Sequence, residues 1–214
     1  MDKESKDMSN QTDQFWAGQP GDNYRERQNE IQLLRSYEAM WRRILSKMHT
    51  TPKTVLEIGA NVGLNLDVLK HLCPEAEMTG VEPNRSNCDI MRSKGHKAIE
   101  TTIQGWVQAE QCDMVFTRGV LIHIPPAHLP NAYAKIYAAS RRWIVLAEYY
   151  APKHTQIEYR GQNDLLWKAD FAGAMMRQYH GLRLVDYGFI YHNDPEFPQD
   201  DVSFFIMEKN ANAA

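Results

Sequence analysis

Short apolar runs alternate with amphipathic stretches along most of this chain. From about Gln28 to Met48, Ile31, Leu34, Tyr37, Trp41, Ile44, Leu45 and Met48 form one stripe at helical spacing, closed by Thr50-Thr51-Pro52. Val55-Leu56-Glu57-Ile58 predicts a buried strand, and after a turn through Gly59 and Gly63 the apolar positions of Leu64–Leu72 predict a helix. Met78–Glu82 predicts a second strand, Ser86–Lys94 a helix stopped by Gly95, and His96–Ile99 a short third strand. Cys112–Thr117 is the fourth strand, and Pro125-Pro126 suits the start of a helix carrying Leu129, Tyr133, Ile136 and Tyr137 on one face. Trp143–Glu148 is the fifth. Helical spacing resumes around Leu165–Gln178, and Gly181–His192 and Val202–Met207 follow with period-two apolar character. A polar loop, His192–Asp201, joins these last two strands.

Strands alternating with helices indicate an α/β fold. One domain over residues 13–209 is expected, with an N-terminal helical cap at about 13–50. Residues 1–12 are polar and charged and are expected to be disordered, and 210–214 to fray. The formal charge of −3 provides no general pull toward nucleic acid or anionic membrane. Cys73, Cys88 and Cys112, an odd number without metal-ligand spacing, suit reduced thiols. With no signal peptide and no membrane-length apolar run, a cytoplasmic protein is expected, as monomer or homodimer. His192-x-Asp194 and Asp200-Asp201 leave a metal-dependent alternative open, but no His pair stands at ligand spacing, and no metal is expected.

The chemistry begins at Glu57-Ile58-Gly59-Ala60-Asn61-Val62-Gly63. A strand, a glycine turn and a helix make a βα unit with room for a ligand beyond the strand's C-terminal end. About 20 residues on, Glu82 ends the next strand, placed to accept both hydroxyls of a ribose, with Pro83 beside it. A dinucleotide fingerprint fails, because Asn61 and Leu64 stand where its second and third glycines belong, and no P-loop Gly-Lys-Ser/Thr follows. Glu57-x-Gly59-x-Asn61-x-Gly63 resembles motif I of the class I methyltransferases, which bind S-adenosylmethionine (SAM), a cofactor without phosphate. Glycine is usual at the position of Asn61, and Asn tolerates positive φ.

Two further segments border such a site. Phe15–Tyr24 is aromatic and glycine-rich: it either covers the core edge or forms a flap that sets Trp16 or Tyr24 on the sulfonium, with Arg27 at the methionine carboxylate. The fourth strand delivers Thr117–Gly119, hence Arg118 and Gly119, to the same rim as the glycine turn. His123 could take a proton there or could serve packing and capping. Glu148, Tyr149 and Asp170 are the other rim groups able to act as bases. Ala151–Gly161 is longer than a minimal connection and suits acceptor binding. Tyr149, Tyr150 and Tyr159 offer flat apolar faces with polar tips, and Arg160 a fork for a carboxylate or phosphate unless it is merely solvated. His192 is a further acceptor contact.

Phe15-Trp16-Ala17-Gly18, Leu56–Asn61, Gly119–Ile124, Ala147–Tyr150, Tyr159-Arg160-Gly161 and Asp186–Phe189 together resemble the SAM-dependent methylases associated with pseudaminic acid biosynthesis in bacteria. The likeness runs from about residue 13 to 209, and Gln28 departs from it by separating Arg27 from Asn29. It implies a Rossmann-like seven-stranded, mostly parallel sheet flanked by helices, with the last strand antiparallel. It also implies that Thr102 and Ile103 border the adenine. The function implied is methylation of a small-molecule acceptor, a nonulosonic sugar or its activated form. Two alternatives stay open: cyclisation or elimination of SAM on the same fold, and a non-catalytic SAM-binding regulator.

Overall fold

A computed structural model describes residues 30–107, 110–158 and 165–210. Helix α1 (Glu30–Leu45) precedes β1 (Thr54–Ile58), α2 (Leu64–Leu72), β2 (Glu77–Glu82), α3 (Arg85–Ser93) and β3 (Lys97–Glu100). Then come β4 (Cys112–Arg118), α4 (Leu129–Ala139), β5 (Ser140–Glu148), β6 (Thr155–Gln156) and β7 (Trp167–Lys168). Helix α5 (Phe171–Gln178), β8 (Leu182–Ile190) and β9 (Val202–Lys209) complete the order. Among the described residues no helix is long and apolar enough to cross a membrane.

Seven strands form one sheet in the order β3-β2-β1-β4-β5-β9-β8. The pairs from β3 to β5 are parallel, and β9 is antiparallel to both its neighbours. The chain leaves β1 toward β2 on one side and returns to pair β4 on the other, so strand order reverses between β1 and β4. A crevice opens at such a point, because successive loops there diverge.

Both faces of the sheet are covered, which explains why its central strands are continuous apolar runs. In β5, Trp143, Val145 and Ala147 enter the core under α1 and α2, while Ile144 and Leu146 enter the one under α4 and α5. Helix α1 contributes Tyr37, Met40, Trp41 and Ile44, and Trp41 meets Phe116 of β4 edge-on at 4.6 Å. The expected helix over Leu165–Gln178 starts later. Trp167–Lys168 pairs with Thr155–Gln156 as a small ribbon, and helix begins only after Asp170, whose side chain accepts from Gly173 N–H at 2.8 Å. The apolar run Leu165-Leu166-Trp167 is buried, with Trp167 in the ribbon itself, and none of it lies on a helix.

Candidate active site

A cavity of about 380 Å³ lies at the crevice, between the ends of β1 and β2 on one side and of β4 and β5 on the other. Its floor is the glycine turn. Gly59 (φ 74), Asn61 (φ 48) and Gly63 (φ 78) all stand in the left-handed region, where a Cβ is costly and Asn is among the tolerated residues. Gly59 and Ala60 N–H both donate to Val81 O, which ties the turn to β2. A Cβ on Gly59 would stand 2.4 Å from Val120 Cγ2, so the small residue admits the β4 loop as well as a ligand. Gly63 does not line the cavity; it starts α2, and a Cβ there would meet Met91 at 2.9 Å.

Glu57, Gly59, Asn61, Glu82, Pro83, Thr102, Ile103, Arg118 and Gly119 line this one space. The Glu82 carboxylate is buried, and its two oxygens accept from Asn61 N–H at 2.9 Å and Asn84 N–H at 3.0 Å. Burial raises its pKa, opposed by those two backbone donors. It thus joins the glycine turn to the start of α3. Glu57 is more buried still: Oε1 accepts from Asn65 Nδ2 at 2.7 Å, and Asn65 Oδ1 in turn accepts from Trp41 Nε1 at 3.0 Å. Burial pushes the Glu57 carboxyl well above the usual carboxylate range, against the Asn65 hydrogen bond and the Arg118 charge.

Four buried acceptor atoms along this cavity, Glu57 Oε2, Asn61 Oδ1, Asn87 Oδ1 and Gln104 Oε1, have no hydrogen-bond partner among the described residues. Buried polar atoms are nearly always paired, so this row points to a ligand that brings donors. Beyond β3, Thr102 and Gln104 belong to a loop that Lys135 holds from α4, donating to Gln104 O and Trp106 O at 2.6 Å.

On the other wall, Arg118 stacks over the Tyr37 ring at 4.2 Å and donates to Gln199 Oε1 at 2.9 Å. His123 closes a 3-10 turn, Leu121–His123, and lines the cavity. Its Nδ1 lies 2.9 Å from Leu165 O; a carbonyl only accepts, so Nδ1 carries a hydrogen. Tyr149 also lines the cavity, donating its hydroxyl to Asp200 at 2.8 Å.

Several expected residues stand elsewhere. Glu148 is 2 % exposed and lies behind the cavity, its carboxylate turned to Thr117 Oγ1 and to Val120 and Leu121 N–H. Burial pushes its pKa up to about 7, yet a group sealed behind the loop cannot touch an acceptor, which corrects its reading as a base. Asp170 caps α5 and faces Arg177 at 3.6 Å, Tyr150 is exposed beside Phe205, and exposed His192 pairs with Asp201; none of the three lines the cavity. Trp16, Tyr24, Arg27, Tyr159 and Arg160 lie outside the described residues. Tyr37, Asn65, Asn87, Gln104 and Leu166 line the site without having been singled out, and Asp200, read in the sequence only as part of a metal alternative, lines it as well. For Asn65 and Asn87 a signal existed, since each is a polar residue on the buried side of its helix.

The strand order, the single antiparallel strand and a cavity at the switch point define the class I methyltransferase fold. Solved structures agree. Magnesium protoporphyrin IX methyltransferase of Synechocystis PCC 6803, with S-adenosylhomocysteine (SAH) bound, matches with a TM-score of 0.71 at 11% identity, over 95% of this chain and 100% of that one. The 1,6-didemethyltoxoflavin-N1-methyltransferase of Burkholderia thailandensis, with 1,6-didemethyltoxoflavin and SAH, gives 0.70 at 14% identity over 98% and 91%. The plantazolicin methyltransferase BpumL, with a pentazolic desmethylPZN analog and SAH, gives 0.65 at 12% identity over 98% and 100%. No curated protein matches the sequence significantly. A family model described as a methyltransferase domain matches residues 26–186, and the chain belongs to that family.

Proposed function

We propose that this methyltransferase takes its methyl group from SAM and passes it to a small-molecule acceptor. The observation that carries the cofactor reading is the row of four buried, unpartnered acceptor atoms along one cavity. SAM offers the matching donors: an ammonium, two ribose hydroxyls and an adenine amino group. Glu57 would face the ammonium, and a cation beside its carboxyl favours the charged form that burial otherwise opposes. Glu82 keeps lone pairs beyond those given to Asn61 and Asn84 N–H, and these suit the ribose hydroxyls. Ile103 provides an apolar wall for the adenine, with Thr102 and Gln104 beside it. The three neighbours above, solved with SAH, support the same reading.

When bound, SAM supplies a methyl group on a sulfonium, open to in-line displacement by an oxygen or nitrogen nucleophile. The chain then has to align the acceptor and remove its proton. His123 lines the cavity with Nδ1–H committed to Leu165 O, so Nε2 is the atom that would receive the proton. Tyr149, Leu166 and Ile124 offer apolar surface at this end, and Asp200 with the Tyr149 hydroxyl a polar edge for an acceptor carrying hydroxyls. The likeness to pseudaminic acid methylases favours a nonulosonic sugar or its activated form, whose carboxylate would meet Arg160. Incubation with methyl-labelled SAM and a small-metabolite extract, followed by mass analysis, tests the proposal. A labelled small molecule together with SAH is expected. Methylthioadenosine as the product would move the reading to cyclisation or elimination, and tight SAM binding without any turnover to a regulator.

A further inference from the structure

We infer that Glu148 is a positioning residue: its carboxylate clamps the N-terminal end of the Leu121–His123 turn and thereby sets where His123 presents its ring to the cavity. The inference rests on the reading of His123 as the base, and goes on to say what holds that base in place.

The turn is three residues long, with two backbone hydrogen bonds around it, His123 N–H to Val120 O at 2.9 Å and Ile124 N–H to Leu121 O at 3.1 Å. So short a 3-10 segment does not hold itself. The bend before it, Gly119 at φ 63, has open space where a Cβ would stand, and its N–H donates to Ala147 O at 2.9 Å, which ties the bend to β5 but not the turn beyond it. Side-chain hydrogen bonds attach the turn at both ends. At the far end, His123 Nδ1–H donates to Leu165 O. At the near end, both Glu148 oxygens accept from Val120 N–H at 3.1 Å, and Oε1 also accepts from Leu121 N–H at 3.2 Å and Thr117 Oγ1–H at 2.8 Å.

Glu148 forms no salt bridge among the described residues, and a buried carboxylate without a cation is costly. A hydrophobic residue would fill the same volume at lower cost. What the carboxylate adds is acceptor capacity for a row of adjacent N–H donors, which a glutamine lacks, because its amide presents N–H to N–H. Leu121 and Ile122 are buried in the core under α4 and α5, so the turn remains attached when the clamp is removed. Its orientation is what changes.

The tautomer of His123 reports that orientation without any acceptor, through two-bond proton–nitrogen correlation spectra of the labelled full chain. In the wild type the Nδ1–H form should dominate roughly tenfold or more, the worth of one well-made hydrogen bond of about 1.4 kcal/mol. In Glu148→Gln that ratio should fall at least about threefold, while SAH affinity stays within about threefold because Glu57 and Glu82 keep their contacts. Thr117→Val removes a bond to the same carboxylate without touching the turn, and should keep the wild-type ratio. Glu148→Asp, which withdraws the oxygens by one methylene, should fall between and serves if the glutamine variant does not fold. An unchanged tautomer ratio in either Glu148 variant overturns the inference. A wild-type ring protonated on Nε2 instead sinks the base reading, and full methyl transfer by His123→Gln does so independently.

Discussion

Replacing Glu82 by glutamine separates the two tasks assigned to one carboxylate. In the wild type each oxygen takes one backbone N–H, from Asn61 at 2.9 Å and Asn84 at 3.0 Å, and both keep capacity for the cavity. Glutamine has a single carbonyl oxygen, so one of those N–H groups faces an amide N–H. A hydrogen bond to a charged group is worth about 1.5–3 kcal/mol, and part of that loss is offset because glutamine escapes the cost of burying a charge. A folding loss of about 1–2 kcal/mol is therefore expected by urea denaturation. For the ligand, loss of one charged acceptor to a ribose hydroxyl costs about 2 kcal/mol, which is roughly 30-fold in SAH affinity by titration calorimetry. Burial raises the Glu82 pKa, so the acceptor charge is lost as pH falls through that raised value. Wild-type SAH affinity should then weaken on acidification at a higher pH than an ordinary carboxylate requires, and the glutamine variant should show less of that slope. If the variant binds SAH within about a factor of two while unfolding earlier, Glu82 only holds the loops. Wild-type stability and wild-type affinity together would refute the hydrogen-bond argument itself.

Other outcomes follow from single contacts. Gly59→Ala should cost about 1–2 kcal/mol in urea unfolding from the left-handed backbone alone, plus the displacement of Val120, whose Cγ2 lies 2.4 Å from the new Cβ. Adding Val120→Ala should recover only the second part. Trp41→Phe removes the donor that orients Asn65 toward Glu57, and a stability loss of about 2 kcal/mol with weaker SAH binding by calorimetry is expected. Glu148 has its folded pKa raised from 4.5 to about 7, so its contribution to stability is fully present below the lower value and is lost as pH rises through the upper one. Over that window the difference in unfolding free energy between wild type and Glu148→Gln should change by roughly 3 kcal/mol, against the wild type at high pH; a flat difference would show that the carboxyl titrates normally.

Much of the fold was legible because its signals are local. Leu64–Leu72 is a helix over the residues its spacing predicted, since a 3.6-residue stripe and a left-handed glycine before it are properties of a few adjacent side chains. Glu57, the glycine turn and Glu82 were legible for the same reason: a strand ends, the chain must turn without a Cβ, and an acid recurs at the tip of the next parallel strand. Helix α5 shows where this stops. Leu165-Leu166-Trp167 has apolar spacing that fits a helix or a buried ribbon equally, and the partner Thr155–Gln156 and the Asp170 cap decided between them.

What the sequence alone determined is therefore the α/β class, the βα unit with its glycine turn, and the two acids that end β1 and β2. Tertiary structure alone decided which rim groups meet the cavity. Glu148 and Tyr149 are neighbours in sequence, yet Glu148, the last residue of β5, turns behind the loop to Val120 N–H, while Tyr149, just past the strand, lines the ligand space. Asn65, Gln104, Tyr37 and Asp200 reach the same cavity from separate elements, and Gln199 links Arg118 to the backbone of Ser36. No local pattern encodes such meetings. They depend on the strand order β3-β2-β1-β4-β5-β9-β8 and on helices packed across it, which are set by burial summed over the whole chain.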